Sequence, residues 1–398
     1  MTATRIVRAA TLAVGAAVWV LLAMLLWRTT VPANLRLPHV DEQAAFGVSL
    51  VREARDYERF LAWDWVAGTL AAVAALALMV RRGRSLAPRL RLRATNSGII
   101  LGVLCFTVVW AATLPFGLAA DWLGRRHGVS RESYAASLTG AWFRLLATTV
   151  AALVALAVVL PLARRLGRWW WIAAGPALGA IVLVLQLLLP YLQTAGTQQL
   201  RSPRLVAAIR VLERREHAGR PPVRVEVVSG RTRAANALSV GIGPAKRIFV
   251  WDTLLRRFRP AEVRFVFAHE LAHAARNHVL RGVGWFALLV LPVLLVTALV
   301  ADVRRPAAVP LALLVIAVAN LALLPLESAV SRRYEAEADW VALGATRDPA
   351  AMRAAFRGFV RTSLDDPSPP GWEHVLLDDH PTPLQRVEMA QAWAARNR

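Results

Sequence analysis

Cysteine occurs once in the 398 residues, at Cys105 within an apolar run, so the chain has neither a disulfide framework nor a cysteine-based metal site. Lysine is equally scarce. Lys246 stands alone, and the formal net charge of +22 is carried almost wholly by arginine. Charge as a whole is thin, with 19% charged against 57% hydrophobic residues and a mean hydropathy of +0.44, which excludes an ordinary soluble domain. The arginines flank apolar runs instead of gathering with aromatics on one polar face. That pattern points to a lipid bilayer as partner and to no nucleic acid.

What the sequence has in abundance is uncharged apolar length. A helix needs about 20 residues to cross the hydrocarbon layer, and runs of that order lie at 9–27, 60–80, 98–120, 142–163, 169–192, 285–300 and 307–326. The first follows Arg5 and Arg8. It is long for a signal peptide and has no small-x-small cleavage site after it, so it reads as a retained anchor. Gln186 and Asn320 are polar residues within their runs. A side chain such as Gln186 belongs against neighbouring helices or a water-filled space more readily than against lipid. The expected fold is mainly α and polytopic, with about seven transmembrane helices and an inserted α+β zinc-metalloprotease domain. Residues 1–193 form a five-helix membrane region, and 194–398 hold the metalloprotease domain with two further spans at about 282–301 and 307–326.

The connections differ in kind. From Asp41 the stretch 28–59 mixes acids and arginines with Phe46, Val48, Leu50 and Val51, which predicts an amphipathic helix lying on or near the membrane. The loop expected at 81–93 carries six arginines and no acid, and Arg164, Arg165 and Arg168 tie the next pair of spans. Composition shifts at about Thr194. Leu205, Val206, Ile209 and Leu212 recur at helical spacing, Gly219 to Pro222 breaks the chain, and 223–228 alternates as a strand does before turning at Ser229 and Gly230. Further extended stretches at 237–240 and 247–251 complete a small sheet, expected to be antiparallel. The segment 236–240 is either its substrate-pairing edge or a plain hairpin strand.

Chemistry enters at FVFAHELAHAARNH, residues 265–278. His269, Glu270 and His273 spell H-E-x-x-H, which on a helix sets two imidazoles one turn apart on one face, able to reach one Zn2+. Glu270 stands beside them, where a carboxylate can take a proton from water activated by the metal. The flanking Val263, Phe265, Val266, Phe267, Leu271 and Ala272 predict a buried helix. No proline interrupts 261–291, so that helix is expected to run almost directly into the next span, softened at Gly282 and Gly284. A third ligand is needed, with a fourth position open. His278 lies five residues past His273, about 140° off the ligand face of a continuous helix, and is set aside. In SRRYEAEADW, Glu335 and Asp339 are i and i+4, with Glu337 on the opposite side. Glu335 is then the ligand and Asp339 the acceptor for the free N–H of a ligand histidine. The bland alternative is an acidic first helical turn capped by Ser331.

H-E-L-A-H, then S-R-x-x-E-x-x-A-D after two further spans, then His380-Pro381 and Arg386, together resemble the CAAX prenyl protease type 1 family of integral-membrane zinc endopeptidases. The resemblance covers nearly the whole chain, including Asn236-Ala237 to Arg247-Ile248. It implies a seven-helix bundle around a large chamber, with Zn2+ on His269, His273 and Glu335. Glu270 is then the general base, and His380 helps stabilise the tetrahedral intermediate. Arg332, Arg386 and Asp339 surround the ligands, and Asn236, Ala237 and Leu238 lie along the substrate. Gln385 departs from the acid that the family often has there. The implied activity is hydrolysis of peptide bonds near the membrane in peptide or membrane-protein substrates, of the CAAX-processing type. A heat-shock-type membrane quality-control protease shares the zinc motifs but has fewer spans before them. A membrane sensor-transducer with a metalloprotease domain needs a sensing domain after its last span. The arginine-rich composition suggests a bacterial plasma membrane. On orientation the two lines of reading differ. Family topology places the zinc site in the cytosol, whereas arginines in the short loops of the other side favour the reverse. The cytosolic site is the expectation.

Overall fold

The computed structural model describes residues 3–397, and the side chains of Arg5 and Arg8 lie outside what it describes. Helix α1 (Ala3–Leu26) is apolar from Ala13 to Leu26. After it come a short α2 (Glu42–Phe46) and then α3 (Val48–Arg89), α4 (Ala94–Arg126), α5 (Tyr134–Leu166) and α6 (Trp170–Leu192). Strand β1 (Gln198–Gln199), helix α7 (Pro203–Glu216), strands β2 (Val223–Glu226), β3 (Ala237–Val240) and β4 (Arg247–Trp251), and helices α8 (Asp252–Arg257) and α9 (Pro260–Ala275) follow. Helices α10 (His278–Val300), α11 (Val309–Thr346), α12 (Pro349–Ser363), α13 (Gly371–Leu376) and α14 (Pro383–Arg396) complete the chain.

Five segments are long and apolar enough to cross a membrane, and one of them folds as the pair α5 and α6 about Gly167. With the shorter α1, seven apolar helices stand among the described residues, one for each apolar run in the sequence. Consecutive helices from α3 to α6 pack side by side, and α6 returns to pack on α10. Their outward faces keep residues such as Trp142, Phe143 and Leu192 exposed, as lipid contact requires. Two of these helices do more than cross. At 1.5 Å per residue, the 42 residues of α3 and the 38 of α11 extend well beyond a bilayer.

That extension corrects the reading of 41–59. The stretch is no helix on the membrane surface; it is α2 and the first turns of α3, which run unbroken into the span. Phe46, Val51, Ala54 and Tyr57 are buried in one core with Phe265 of α9 and Phe356 of α12. Their apolar stripe faces protein, not lipid. The arginine-rich segment 81–93 is likewise mostly the last turns of α3, and only 90–93 connect it to α4.

The sheet has the order β1-β2-β4-β3 and is mixed. β2 pairs with β4 in parallel, Val223 opposite Ile248, which corrects the antiparallel expectation, while β3 pairs antiparallel with β4. The parallel register is possible because β3 and its connections lie between the two strands in sequence and carry the chain back. Gly241, at φ +78°, makes the turn after β3. A Cβ there would lie 2.4 Å from Ala245 O and 2.9 Å from Pro190 Cγ, so the position accepts glycine alone. β3 is left at the edge of the sheet, next to α9.

Helix α9 buries residues all round its circumference, among them Phe265, Phe267, Ala268 and Leu271, which makes it the centre of the protease core. It does not glide into α10 through glycines. The chain breaks at Asn277, in the left-handed conformation at φ 54°, which asparagine tolerates better than most residues. Lys246, the only lysine, closes the break by donating to Ala274 O at 2.6 Å and Asn277 Oδ1 at 2.7 Å. Gly284 serves packing instead: a Cβ there would meet Leu26 Cδ1 at 3.0 Å, so the glycine admits α1 against α10.

Candidate metal centre

The donors converge from two helices. α9 presents His269 and His273, and α11, emerging from its membrane-crossing part, presents Glu335. Ser331 lies inside this continuous helix and caps nothing, so the acidic-first-turn alternative does not apply. His269 Nε2 lies 3.0 Å from His273 Nε2 and 3.1 Å from Glu335 Oε2, and His273 Nε2 lies 3.3 Å from Glu335 Oε1. A tetrahedral ion with bonds of about 2.0–2.1 Å has edges of roughly 3.3 Å. The three donors therefore fit one face of such a site, and they are the one group of this kind among the described residues.

Electrostatics agree with that fit. Asp339 is fully buried, and His269 Nδ1 donates to its Oδ1 at 2.8 Å, which leaves Nε2 as the nitrogen that can offer a lone pair to a metal among the other donors. Two imidazole nitrogens and a carboxylate so close repel one another unless a cation stands between them. Burial opposes charge on His269, yet Asp339 and Glu335 outweigh it and push its pKa up to about 10. The same demand for positive charge is met by a divalent ion, with release of that proton.

Arg386, buried at the start of α14 and lying over the Phe356 ring, donates to Glu335 Oε2 at 3.0 Å and sits 3.4 Å from Asp339 Oδ2. Gln385 explains its own departure from an acid. Its side chain and that of Thr382 form a reciprocal cap on α14, which an amide completes as well as a carboxylate does. His380, on the loop before that cap, places Nε2 3.3 Å from Glu335 Oε2. Burial weighs against its charge, but Glu335 and Asp379 raise its pKa above the ordinary histidine value. Arg332 does not surround the ligands as expected. Its Nη1 donates to His374 O and Asp378 O, both at 2.6 Å, and so holds the loop that leads to His380.

Glu270 is 6% exposed, and burial, its largest influence, lifts its pKa above the usual carboxylate value against the pull of His269 and His273. It stands at a neck between two cavities, of about 450 Å3 and 560 Å3, which share Asn236, Ala237, His269, Glu270 and His380 as lining. Leu238 lines the second. The first is acid-rich, with Glu58, Asp365, Asp366 and Asp379 in its wall. The second runs along α10 and α11 past Trp285, Phe286, Leu289 and Tyr334. Sequence reasoning missed the acidic wall, because Glu58 and Asp365 lie in separate elements with no shared spacing. It also missed that His278 and Glu337, neither of them a donor to the triangle, stand directly behind His273.

Residues 199–394 match the model of peptidase family M48. A Bacillus subtilis (strain 168) protein described as uncharacterized metalloprotease YhfN is 31% identical over 198 residues, 46% of this chain and 46% of that protein. The match thus spans about half the length of that relative. The crystal structure of S. mikatae Ste24p matches with a TM-score of 0.75 at 16% identity, over 96% of this chain and 97% of that one. At that identity the likeness is one of fold, and it bears out at that level the whole-chain resemblance read from the motifs. The segment 199–394, which is similar to peptidase family M48 and in part to a bacterial metalloprotease, holds the donor triangle, Glu270, Asp339, His380 and Arg386.

Proposed function

We propose that this protein is a membrane-embedded zinc metalloendopeptidase that hydrolyses peptide bonds close to the bilayer. The observation that carries the proposal is the neck. A tetrahedral-face donor set, a buried carboxylate and the open edge of β3 border the same space, one turn from the start of a membrane-crossing helix. Zinc held by His269, His273 and Glu335 supplies Lewis acidity and lowers the pKa of water to about 7. The protein's groups do the rest. Glu270, with its raised pKa, takes the proton of the attacking water and returns it to the leaving amine. His380 donates a hydrogen bond to the developing oxyanion. Arg386, donating to Glu335 Oε2 at 3.0 Å, holds that carboxylate in place. Asn236, Ala237 and Leu238 pair with the extended backbone of the substrate.

The two cavities suit a substrate with a polar part against the acidic wall and an apolar part along α10 and α11. CAAX-type processing, in which a lipid-bearing C-terminal segment occupies the aromatic cavity, is the substrate class that the resemblance implies. Purified protein is expected to hold about one zinc per chain, to cleave unstructured peptides, to stop on chelation and to recover with Zn2+. A metal-free preparation that cleaves, or a zinc-loaded one that does not, overturns the proposal. Cleavage of a prenylated peptide no better than its unprenylated form rejects CAAX processing alone.

We place the metal site on the cytosolic side of a bacterial plasma membrane, following the whole-chain resemblance. The alternation of helices sets Arg81 to Arg93, Arg164 to Arg168 and Arg304-Arg305 at the opposite end, where the positive-inside rule argues for the reverse. A protease-sensitive tag after Arg398 is expected to survive protease added to intact cells. Its digestion means that charge, not kinship, set the topology.

A further inference from the structure

His273 has two ring nitrogens, and only Nε2 faces the donor triangle. Its Nδ1 lies 2.9 Å from Nδ1 of His278. On an unbroken helix His278 would point elsewhere, but the left-handed Asn277 restarts the helix and turns its ring back onto α9. His278 Nε2 lies 3.2 Å from Glu337 Oε2, which also accepts from Arg281 Nη1 at 2.9 Å. Arg281 donates in turn to the carbonyls of Leu26 and Arg28, and Glu337 Oε1 accepts from the backbone N–H of Thr30 at 3.0 Å. His278 and Glu337 are buried, and Tyr334 lies flat on the His278 ring with centroids 4.8 Å apart and planes 6° from parallel.

With His273 Nε2 as a metal ligand and both rings neutral, one assignment of protons fits this chain. Glu337, paired with a guanidinium, only accepts, so His278 Nε2 carries a proton. The other nitrogen of that neutral imidazole is then an acceptor, and the proton between the two facing Nδ1 atoms belongs to His273. His273 Nε2 is left as a lone pair aimed at the triangle. We propose that His278 is a positioning residue that fixes the tautomer and ring angle of the metal ligand His273, with Glu337 and Arg281 holding it in turn. The two ligand histidines then have different supports: a carboxylate, Asp339, for His269 and a neutral imidazole for His273.

This inference rests on the metallopeptidase reading above, and its test separates the two. Zinc affinity of the purified full-length protein is measured by competition with a chromophoric chelator, and the visible absorption of the Co2+-substituted protein reports ligand geometry. His278→Phe keeps a ring against Tyr334 but removes the acceptor. It is expected to weaken zinc roughly 10 to 100-fold, the usual cost of losing a partner behind a ligand, and to shift the Co2+ bands. His278→Asn restores an acceptor near the Nδ1 position and is expected to recover most of the affinity. Wild-type affinity and an unchanged Co2+ spectrum in His278→Phe overturn the inference while leaving the metallopeptidase reading intact, as does His278→Asn binding as weakly as His278→Phe. A wild-type protein that binds no zinc overturns both.

Discussion

Replacing Glu270 with glutamine is expected to lower peptide hydrolysis by roughly 10²–10⁴-fold, the range that general acid–base catalysis contributes, while zinc content stays at the wild-type level. Glutamine keeps the shape of the side chain and removes only its ability to take a proton. Glu270 lies beside the donors without belonging to the triangle of His269, His273 and Glu335. Metal should therefore be indifferent to the change. Burial matters to the size of the effect, because a carboxylate lifted above its ordinary pKa is a stronger base than one in water. Metal analysis alongside kcat/KM checks the separation. Activity near wild type in Glu270→Gln would remove the general-base role, and loss of zinc in that variant would make Glu270 a ligand instead.

Glu335→Ala is expected to lose both zinc and activity. The substitution leaves two histidine donors, too few for a site that needs three protein ligands and an open position. It also strips Arg386 of its 3.0 Å partner, leaving Asp339 at 3.4 Å to balance a buried guanidinium. Breaking a buried pair of this kind costs up to about 3–5 kcal/mol, so thermal unfolding should be followed with the metal assay. Asp339→Ala provides the graded comparison. It spares the three donors and removes the acceptor that holds His269, at an expected cost of roughly 10 to 100-fold in zinc affinity or activity. Full zinc occupancy in Glu335→Ala overturns its place among the ligands. An Asp339→Ala protein indistinguishable from wild type makes Asp339 a buried structural acid.

Much of the candidate site was legible because its spacing is local. His269 and His273 are four residues apart on one helix, as are Glu335 and Asp339 on another, and the period of a helix alone puts each pair on one face. His380 and Arg386 were named only through the family resemblance. In DDHPTP nothing local distinguishes His380, and its position depends on Arg332 anchoring the preceding loop by two carbonyls. His278 is no donor in the metal group, as its spacing predicted, but its place behind His273 was hidden for the complementary reason. Its angle was computed for a continuous helix, and R-N-H shows neither a glycine nor a proline to announce the break that Asn277 makes.

By itself, the sequence determined that the protein crosses membranes, how many apolar helices it has, and which helix carries H-E-x-x-H. Each of these is a property of composition or period within about 20 residues, and burial of apolar length leaves the chain little choice. Only the tertiary structure decided that β2 runs parallel to β4, that β3 is left as the free edge beside Glu270, and that the first turns of α3 belong to the protease core. It also decided that Arg386 closes on Glu335 across 51 residues and that Glu337 stands behind His278 across 59. These contacts have no signature in the chain between them. They follow from how seven long helices and a small sheet bury their faces against one another, and that packing selects which distant charges are desolvated together and so must pair.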